Sequence, residues 1–186
     1  MSSVYHKTEG LVLRKMPFGE ADFLVRILTR EFGKMDALAK GARKSASKLN
    51  PHLDILNFIR ISFVQNGERL PTLTDAEIIE RFDNVFSDAN RIAIAGRMLK
   101  SVDTLVYGGE PDSDLLDIAL VLLRSLNHAR EPIDGGAKDM TNVEDIGNRF
   151  ARAFLKHQGY GETADFSLLP QEVADTIMNA WPNLMI

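Results

Sequence analysis

The chain has 186 residues, of which 45% are hydrophobic and 26% charged, and its formal net charge at pH 7 is −4. This composition is typical of one or two globular domains, and no apolar run approaches the roughly 20 residues that span a bilayer. The absence of cysteine excludes disulfides, thiolate metal sites and cysteine nucleophiles. Residues 1–10 contain no apolar run typical of a signal peptide, so we expect a cytoplasmic protein without membrane association.

The first part of the chain has the pattern of short strands separated by turn residues. Alternating apolar and polar side chains predict strands near residues 10–16, 23–29, 34–40, 59–64 and 69–75. A glycine at position 33 suits a hairpin turn, and Asn66-Gly67 predicts a two-residue hairpin turn. The longest connection joins the third and fourth strands. We therefore predict an α+β protein with an N-terminal five-stranded OB-type β-barrel followed by an α-helical domain; an SH3-like barrel fits nearly as well.

The connection after the third strand contains a basic loop, residues 40–48. Its sequence places four cations in nine residues, with no acid and no bulky apolar side chain. Such a segment cannot build a core, but beside a small barrel it concentrates the donors that a phosphate backbone needs. A loop that is only solvated is the alternative. The residues that we expect to face a nucleic acid are Arg14, Lys15, Phe18, Arg26, Lys40, Arg43, Lys44 and Lys48, with Phe18 as the candidate for stacking on a base.

The charge is unevenly divided along the chain. Residues 1–70 carry 12 Lys and Arg against 7 Asp and Glu, a net of +5, whereas residues 71–186 carry 10 basic and 19 acidic residues, a net of −9. Such an asymmetry predicts two domains, of which one meets a polyanion. We place the barrel domain at residues 1–80 and the helical domain at residues 81–186.

Beyond residue 84 the apolar spacing becomes helical. The apolar face predicted for the first helix consists of Ile92, Ala95, Leu99, Val102 and Val106. A second helix, capped by Ser113, is apolar nearly all round over residues 115–123 and is expected at the centre of its domain. A capping box over residues 141–144 opens a third helix, whose apolar face holds Ile146, Phe150, Ala153, Phe154 and His157. A fourth covers residues 171–180, and Trp181 and Met185 are expected to pack on the bundle.

No catalytic or metal-binding constellation is evident. The four histidines are scattered and none has a partner at metal-ligand spacing. The glycine pairs at residues 108–109 and 135–136 are not followed by a Walker signature, and the acid pairs at helix starts suit the helix dipole. We expect neither enzymatic activity nor a cofactor or metal.

Several ordered segments resemble one family. Residues 9–14, 18–25, 28–34 and 39–44 are similar to the N-terminal OB domain of the bacterial recombination mediator RecO family, and residues 73–77 resemble the family's exit from the barrel. Residues 110–116 and 154–160 resemble the family's helical part more loosely. Many members carry a four-cysteine zinc module after the segment that matches Gly159-Tyr160. This chain has no cysteine and is shorter than usual, so we expect a zinc-free, trimmed member.

The resemblance implies a protein that binds single- and double-stranded DNA, anneals complementary strands and loads recombinase at gaps. It places that activity in the bacterial cytoplasm, at the nucleoid when active, and implies RecR and the single-strand-binding protein as partners. It carries the DNA-facing role over to Arg14, Lys15, Arg26, Lys40, Arg43, Lys44 and Lys48. A protein-interaction adaptor and an RNA-binding OB protein are the alternatives.

The single-strand-binding protein has an acidic tail that ends in an aromatic residue. An acidic domain would accept such a tail through an apolar pocket edged by local cations. The candidate cations are Arg149, Arg152 and Lys156, because they lie at helical spacings of three and four beside the face of Phe150 and Phe154. A solvated helix edge is the alternative.

Overall fold

The computed structural model describes residues 3–129, 143–161 and 170–181, and its contacts group the chain into two compact units. One unit holds the chain up to Arg81 together with Tyr107–Leu116. The other holds Phe82–Val106 and the described residues from Asp117 onward. The segment Tyr107–Leu116, which we assigned to the helical domain from the sequence, therefore has its contacts with the strands.

Five strands close into a barrel in the order β1-β2-β3-β5-β4. Their bounds are β1 (Val4–Phe18), β2 (Asp22–Thr29), β3 (Gly33–Ala39), β4 (Phe58–Gln65) and β5 (Thr72–Glu80). Neighbours are antiparallel, except that β3 and β5 run parallel where Leu38 lies opposite Thr72. A five-stranded barrel whose longest connection joins β3 and β4 is an OB-type barrel, so the predicted α+β fold is confirmed.

The first strand is longer than the sequence predicted because it serves two partners. Its first half pairs with β4 and its second half with β2, and the register shifts between Val12 and Arg14. Gly10 lies where all three strands meet: a Cβ atom there would stand 2.6 Å from Ile27 Cγ2. One strand thus bends across the barrel, which closes the sheet without an exposed edge at this point.

The predicted two-residue turn at Asn66-Gly67 is wrong. The connection between β4 and β5 covers residues 66–71, and β5 runs on to Glu80. A turn does form at the predicted place, since the Arg69 N–H donates to the Asn66 carbonyl at 3.3 Å. The side chain of Gln65 also donates to the Arg69 carbonyl at 2.8 Å, which stabilises the wider loop.

The barrel core consists of the inward side chains of the strands and two residues of the β3–β4 connection. Val12, Val25, Ile27, Ile59, Ile61 and Phe63 are among its buried members. Ala42 and Leu53 belong to the same cluster and are fully buried. Leu53 follows a 3-10 turn over Asn50–His52. The stretch from Ala42 to Leu53, which includes most of the basic loop, is therefore anchored in the core at both ends.

Four helices follow within the described residues: α1 (Ala89–Leu105), α2 (Ser113–His128), α3 (Val143–His157) and α4 (Gln171–Ala180). The bounds of α4 agree with the prediction, whereas the predicted buried face of α1 is wrong in part. The buried face observed in the structure contains Ile94 and Met98, whereas Ile92, which we expected on it, is exposed. None of the helices within the described ranges is long and apolar enough to cross a membrane.

Two predictions about α2 are also wrong. The cap is Asp112 rather than Ser113, because the Leu115 N–H donates to Asp112 Oδ1 at 3.0 Å. The helix is not buried all round: Leu116 and Leu123 are inaccessible, but Val121 is 61% exposed. The described residues of α3 are helical throughout, as predicted for this segment. The capping residues Thr141 and Asn142, and Met185 near the terminus, lie outside the described residues.

Candidate nucleic-acid interface

The basic loop lies against the turn between β1 and β2, and an acid at the start of β2 joins the two. Phe18, the last residue of β1, is directly opposite Asp22, the first residue of β2. The Gly41 N–H donates to Asp22 Oδ1 at 2.7 Å. Phe18 and the beginning of the basic loop therefore stand on either side of Asp22.

Arg43 adds two further bonds between the loop and the same turn. Its backbone N–H donates to the Ala21 carbonyl at 2.9 Å, and its guanidinium Nη1 donates to the Gly19 carbonyl at 2.9 Å. A guanidinium has five N–H donors, so this bond leaves most of them for a ligand. Because Gly19 adjoins Phe18 in the chain, the guanidinium group of Arg43 lies close to the root of that aromatic residue.

The basic loop is a series of turns that leaves its cations in solvent. Gly41 adopts a left-handed conformation with φ +66°, and the N–H groups of Lys44 and Ser47 bond back to the carbonyls three residues earlier. Lys40, Arg43, Lys44 and Lys48 are all exposed. Phe18 is 48% exposed. We call the surface formed by Phe18, the β1–β2 turn and the basic loop the cationic rim.

Arg14 and Arg26 lie in a row across the outer face of β1, β2 and β3, which ends at Asp36. Arg26 Nε and Nη2 donate to the two carboxylate oxygens of Asp36 at 2.7 and 2.9 Å. These bonds lower the pKa of Asp36 below its ordinary value of 3.8, although burial acts in the opposite direction. Arg26 is thus held by a carboxylate, whereas Arg14 is exposed at the end of the row.

Lys15 is also engaged in the structure of the barrel. Its ammonium group lies 2.9 Å from Asp54 Oδ1 and 3.4 Å from the Asn50 carbonyl, and 4.8 Å from the ring centroid of Phe23. Its side chain is only 15% exposed. The structure brings Phe18 and Arg43 together on the cationic rim, while Lys15 and Arg26 are held by ion pairs. The role of all eight residues in DNA binding stays a prediction.

The loop between β4 and β5 lies next to the end of β3, close to the start of the basic loop, which the sequence pattern did not predict. Pro71 at its end accepts a 2.8 Å hydrogen bond from the Leu38 N–H, two residues before the basic loop begins. Arg69 and Leu70 next to it are exposed. In OB folds the loop between the fourth and fifth strands commonly contacts the ligand. Had the sequence predicted a longer loop here instead of a two-residue turn at Asn66-Gly67, the loop would have been a candidate for binding.

The second candidate site lies on the helices. A groove of about 370 Å³ runs between α2 and α3 and is lined mainly by apolar side chains, among them Ile118, Val121 and Phe150. Arg149 lines this groove, whereas Arg152 and Lys156 are exposed on α3 without lining it. Within the described ranges, no group of three or more His, Asp or Glu side chains is placed to hold a metal ion.

A closed five-stranded barrel with a cationic rim on its β1–β2 turn and β3–β4 loop defines an OB-fold domain. Comparison with known proteins identifies its family. The family model described as "Recombination protein O N terminal" matches residues 1–82. Residues 1–82 therefore belong to the family of RecO N-terminal domains.

Three relatives illustrate the similarity, each named DNA repair protein RecO. The protein of Gloeobacter violaceus is 34% identical over 128 residues, which cover 68% of this chain and 48% of the relative. That of Listeria monocytogenes serotype 4b is 33% identical over 68% of this chain and 49% of the relative. That of Heliobacterium modesticaldum is 37% identical over 63% of this chain and 41% of the relative. The chain spans about half the length of the curated relatives it matches.

Proposed function

We propose that this protein is a non-catalytic DNA-binding protein of DNA repair and that it binds single-stranded DNA on the cationic rim. The observation that carries the proposal is the set of bonds by which Asp22 and Arg43 hold the basic loop against the turn after Phe18. The match of residues 1–82 to the family of RecO N-terminal domains supports it, since the relatives are named DNA repair proteins.

The rim suits an unpaired strand because it combines the two contacts that such strands need. Arg43, Lys44 and Lys48 offer donors to consecutive phosphates, and Phe18 offers an exposed ring to one base. Stacking on an aromatic ring contributes roughly 1–3 kcal/mol per base and is tolerant of sequence. The contacts to phosphate supply affinity but carry no sequence information, so we expect binding without strong base preference.

Competition between nucleic acids tests this function. A labelled single-stranded DNA bound to the protein is displaced by unlabelled DNA or RNA of the same sequence and length, and by the DNA duplex, with fluorescence anisotropy as the readout. We expect single-stranded DNA to compete at least as well as the duplex. Preferential displacement by RNA would favour the RNA-binding alternative, and absence of binding to all three would favour the adaptor.

We further propose that the protein anneals complementary strands and takes part in loading recombinase at gaps. A surface that contacts phosphates and stacks on one base leaves the pairing edges of the other bases free. Mixing complementary oligonucleotides, with and without a bacterial single-strand-binding protein, tests annealing directly. We expect faster duplex formation in both cases, and an unchanged rate in both would exclude this activity.

The groove between α2 and α3 supports a protein partner of acidic chemistry, for which we propose the tail of the single-strand-binding protein. An apolar groove with Arg149 at its wall fits a peptide whose terminal aromatic enters the groove while its carboxylates face the cation. Calorimetry with an acidic peptide that ends in phenylalanine tests the site. We expect Arg149→Ala/Arg152→Ala to weaken binding and the control Arg81→Ala/Lys100→Ala, which removes two exposed cations elsewhere, to leave it unchanged. Equal affinities of both variants would rule the site out.

A further inference from the structure

We propose that Asp22 is a positioning residue for DNA binding, which holds the basic loop beside Phe18 through its bond to the Gly41 N–H. This inference rests on the proposed function of the cationic rim. Asp22 is an acid within a surface that we expect to bind phosphates. On electrostatic grounds alone, removing it would improve DNA binding.

The contacts of Asp22 indicate a structural role for its carboxylate. Asp22 lies opposite Phe18 in the β1–β2 ladder and accepts the Gly41 N–H at 2.7 Å. The loop begins immediately after β3, and Gly41 has the left-handed φ of +66° that turns the chain toward Asp22. A carboxylate that accepts a backbone N–H makes a stronger bond than a neutral acceptor.

Without this bond the loop would remain attached to the core, but its position relative to Phe18 would no longer be fixed. Ala42 remains buried in the core, and the Arg43 N–H still has the Ala21 carbonyl. The Arg43 guanidinium bond to Gly19, however, is made by an exposed and flexible side chain, which offers little restraint by itself. Asp22 therefore sets the spacing between the aromatic ring and the loop cations, on which simultaneous contact with one strand depends.

Two substitutions of Asp22 separate position from charge. Asp22→Asn keeps a side-chain oxygen that accepts the Gly41 N–H but removes the charge, whereas Asp22→Ala removes both. Asp75→Ala is the control, since Asp75 is an exposed acid on β5, outside the cationic rim. We expect Asp22→Ala to weaken binding of a single-stranded DNA oligonucleotide about fivefold or more. We expect Asp22→Asn and Asp75→Ala to bind as well as wild type or slightly better.

Amide hydrogen exchange supplies a readout that does not depend on DNA. We expect the Gly41 amide of free protein to exchange at least about tenfold faster in Asp22→Ala than in wild type, and near the wild-type rate in Asp22→Asn. Stronger DNA binding by Asp22→Ala, or equal exchange in all variants, would overturn the positioning role. If wild type binds no DNA while the exchange pattern holds, the proposed function fails and the loop contact stands.

Discussion

Arg26 and Asp36 lie opposite each other on β2 and β3 and form an ion pair through two hydrogen bonds, at 2.7 and 2.9 Å. The two side chains are 25% and 28% exposed, so water screens the pair only in part. The pair fixes the guanidinium group against the outer face of the sheet. Its titration also links the stability of the barrel to pH.

We expect Asp36→Asn to lower the free energy of unfolding by about 1 kcal/mol at pH 7. Arg26 lowers the pKa of Asp36 in the folded state, so the pair stabilises the protein above the ordinary pKa of 3.8. That contribution is lost as pH falls through the lower, folded-state pKa. Urea unfolding of both proteins between pH 7 and pH 3 is the measurement.

The difference between wild type and Asp36→Asn should therefore shrink below about pH 3.8. Asp75→Asn on the exposed side of β5 is the control and should change stability by less than about 0.5 kcal/mol at every pH. A difference for Asp36→Asn that stays constant down to pH 3 would contradict the assignment of the pair.

Gly33 and Gly67 allow a matched test of whether the backbone near Glu110 packs closely against position 33, in the unit that contains the barrel. Both have a left-handed φ, +60° and +58°. A Cβ atom at Gly33 would stand 1.9 Å from the Glu110 carbonyl oxygen, whereas nothing lies within 4 Å of one at Gly67. We expect Gly67→Ala to cost about 1–2 kcal/mol from the backbone alone, and Gly33→Ala at least about 3 kcal/mol. Chemical denaturation measures both, and equal costs would show that the segment with Glu110 does not restrain position 33.

Trp181 joins the end of α4 to α1 in the helical unit. The indole Nε1 donates to Ser101 Oγ at 3.1 Å, and the ring centroid lies 5.7 Å from that of Phe150. The side chain is buried, and a Cβ atom on Gly147 would approach the ring to 2.7 Å. We expect Trp181→Phe to cost roughly 1–2 kcal/mol and Trp181→Ala roughly 3–5 kcal/mol, because the second also leaves a cavity.

Thermal or urea unfolding followed by circular dichroism measures these costs. Met178→Ala, on a partly exposed position of the same helix, is the control and should cost about 1 kcal/mol or less. A Trp181→Ala variant as stable as wild type would show that the indole is dispensable for the bundle.

Local periodicity predicted much of the fold, because alternation places Ile59, Ile61 and Phe63 in the core whatever their partners are. Periodicity failed where contacts between residues far apart in the sequence determine which side chains are buried. Ile92 fits a helical apolar face, yet the bundle buries Ile94 and Met98 instead. Nothing in the sequence of Tyr107–Leu116 indicates that it packs with the strands.

The components of the cationic rim were predictable from the sequence, but their arrangement in space was not. Composition alone singled out the basic loop and Phe18. The hydrogen bond that links the loop to the strand opposite Phe18 joins Asp22 and Gly41, which are 19 residues apart, and charge patterning would have assigned Asp22 an unfavourable effect. Likewise, the carboxylate that holds Arg26 is visible only when β2 and β3 are paired.

The most direct test of DNA binding on the cationic rim is the salt dependence of affinity for a labelled single-stranded oligonucleotide. Wild type is compared with Arg43→Ala/Lys44→Ala/Lys48→Ala and with the control Lys7→Ala/Arg81→Ala/Lys100→Ala, which removes three exposed cations outside the rim. We expect a steep log–log slope for wild type and control. In the rim variant the slope should flatten by up to about 2, roughly 0.7 for each of three phosphates, at a nearly unchanged melting temperature. A folded rim variant with the affinity and slope of wild type would contradict the account.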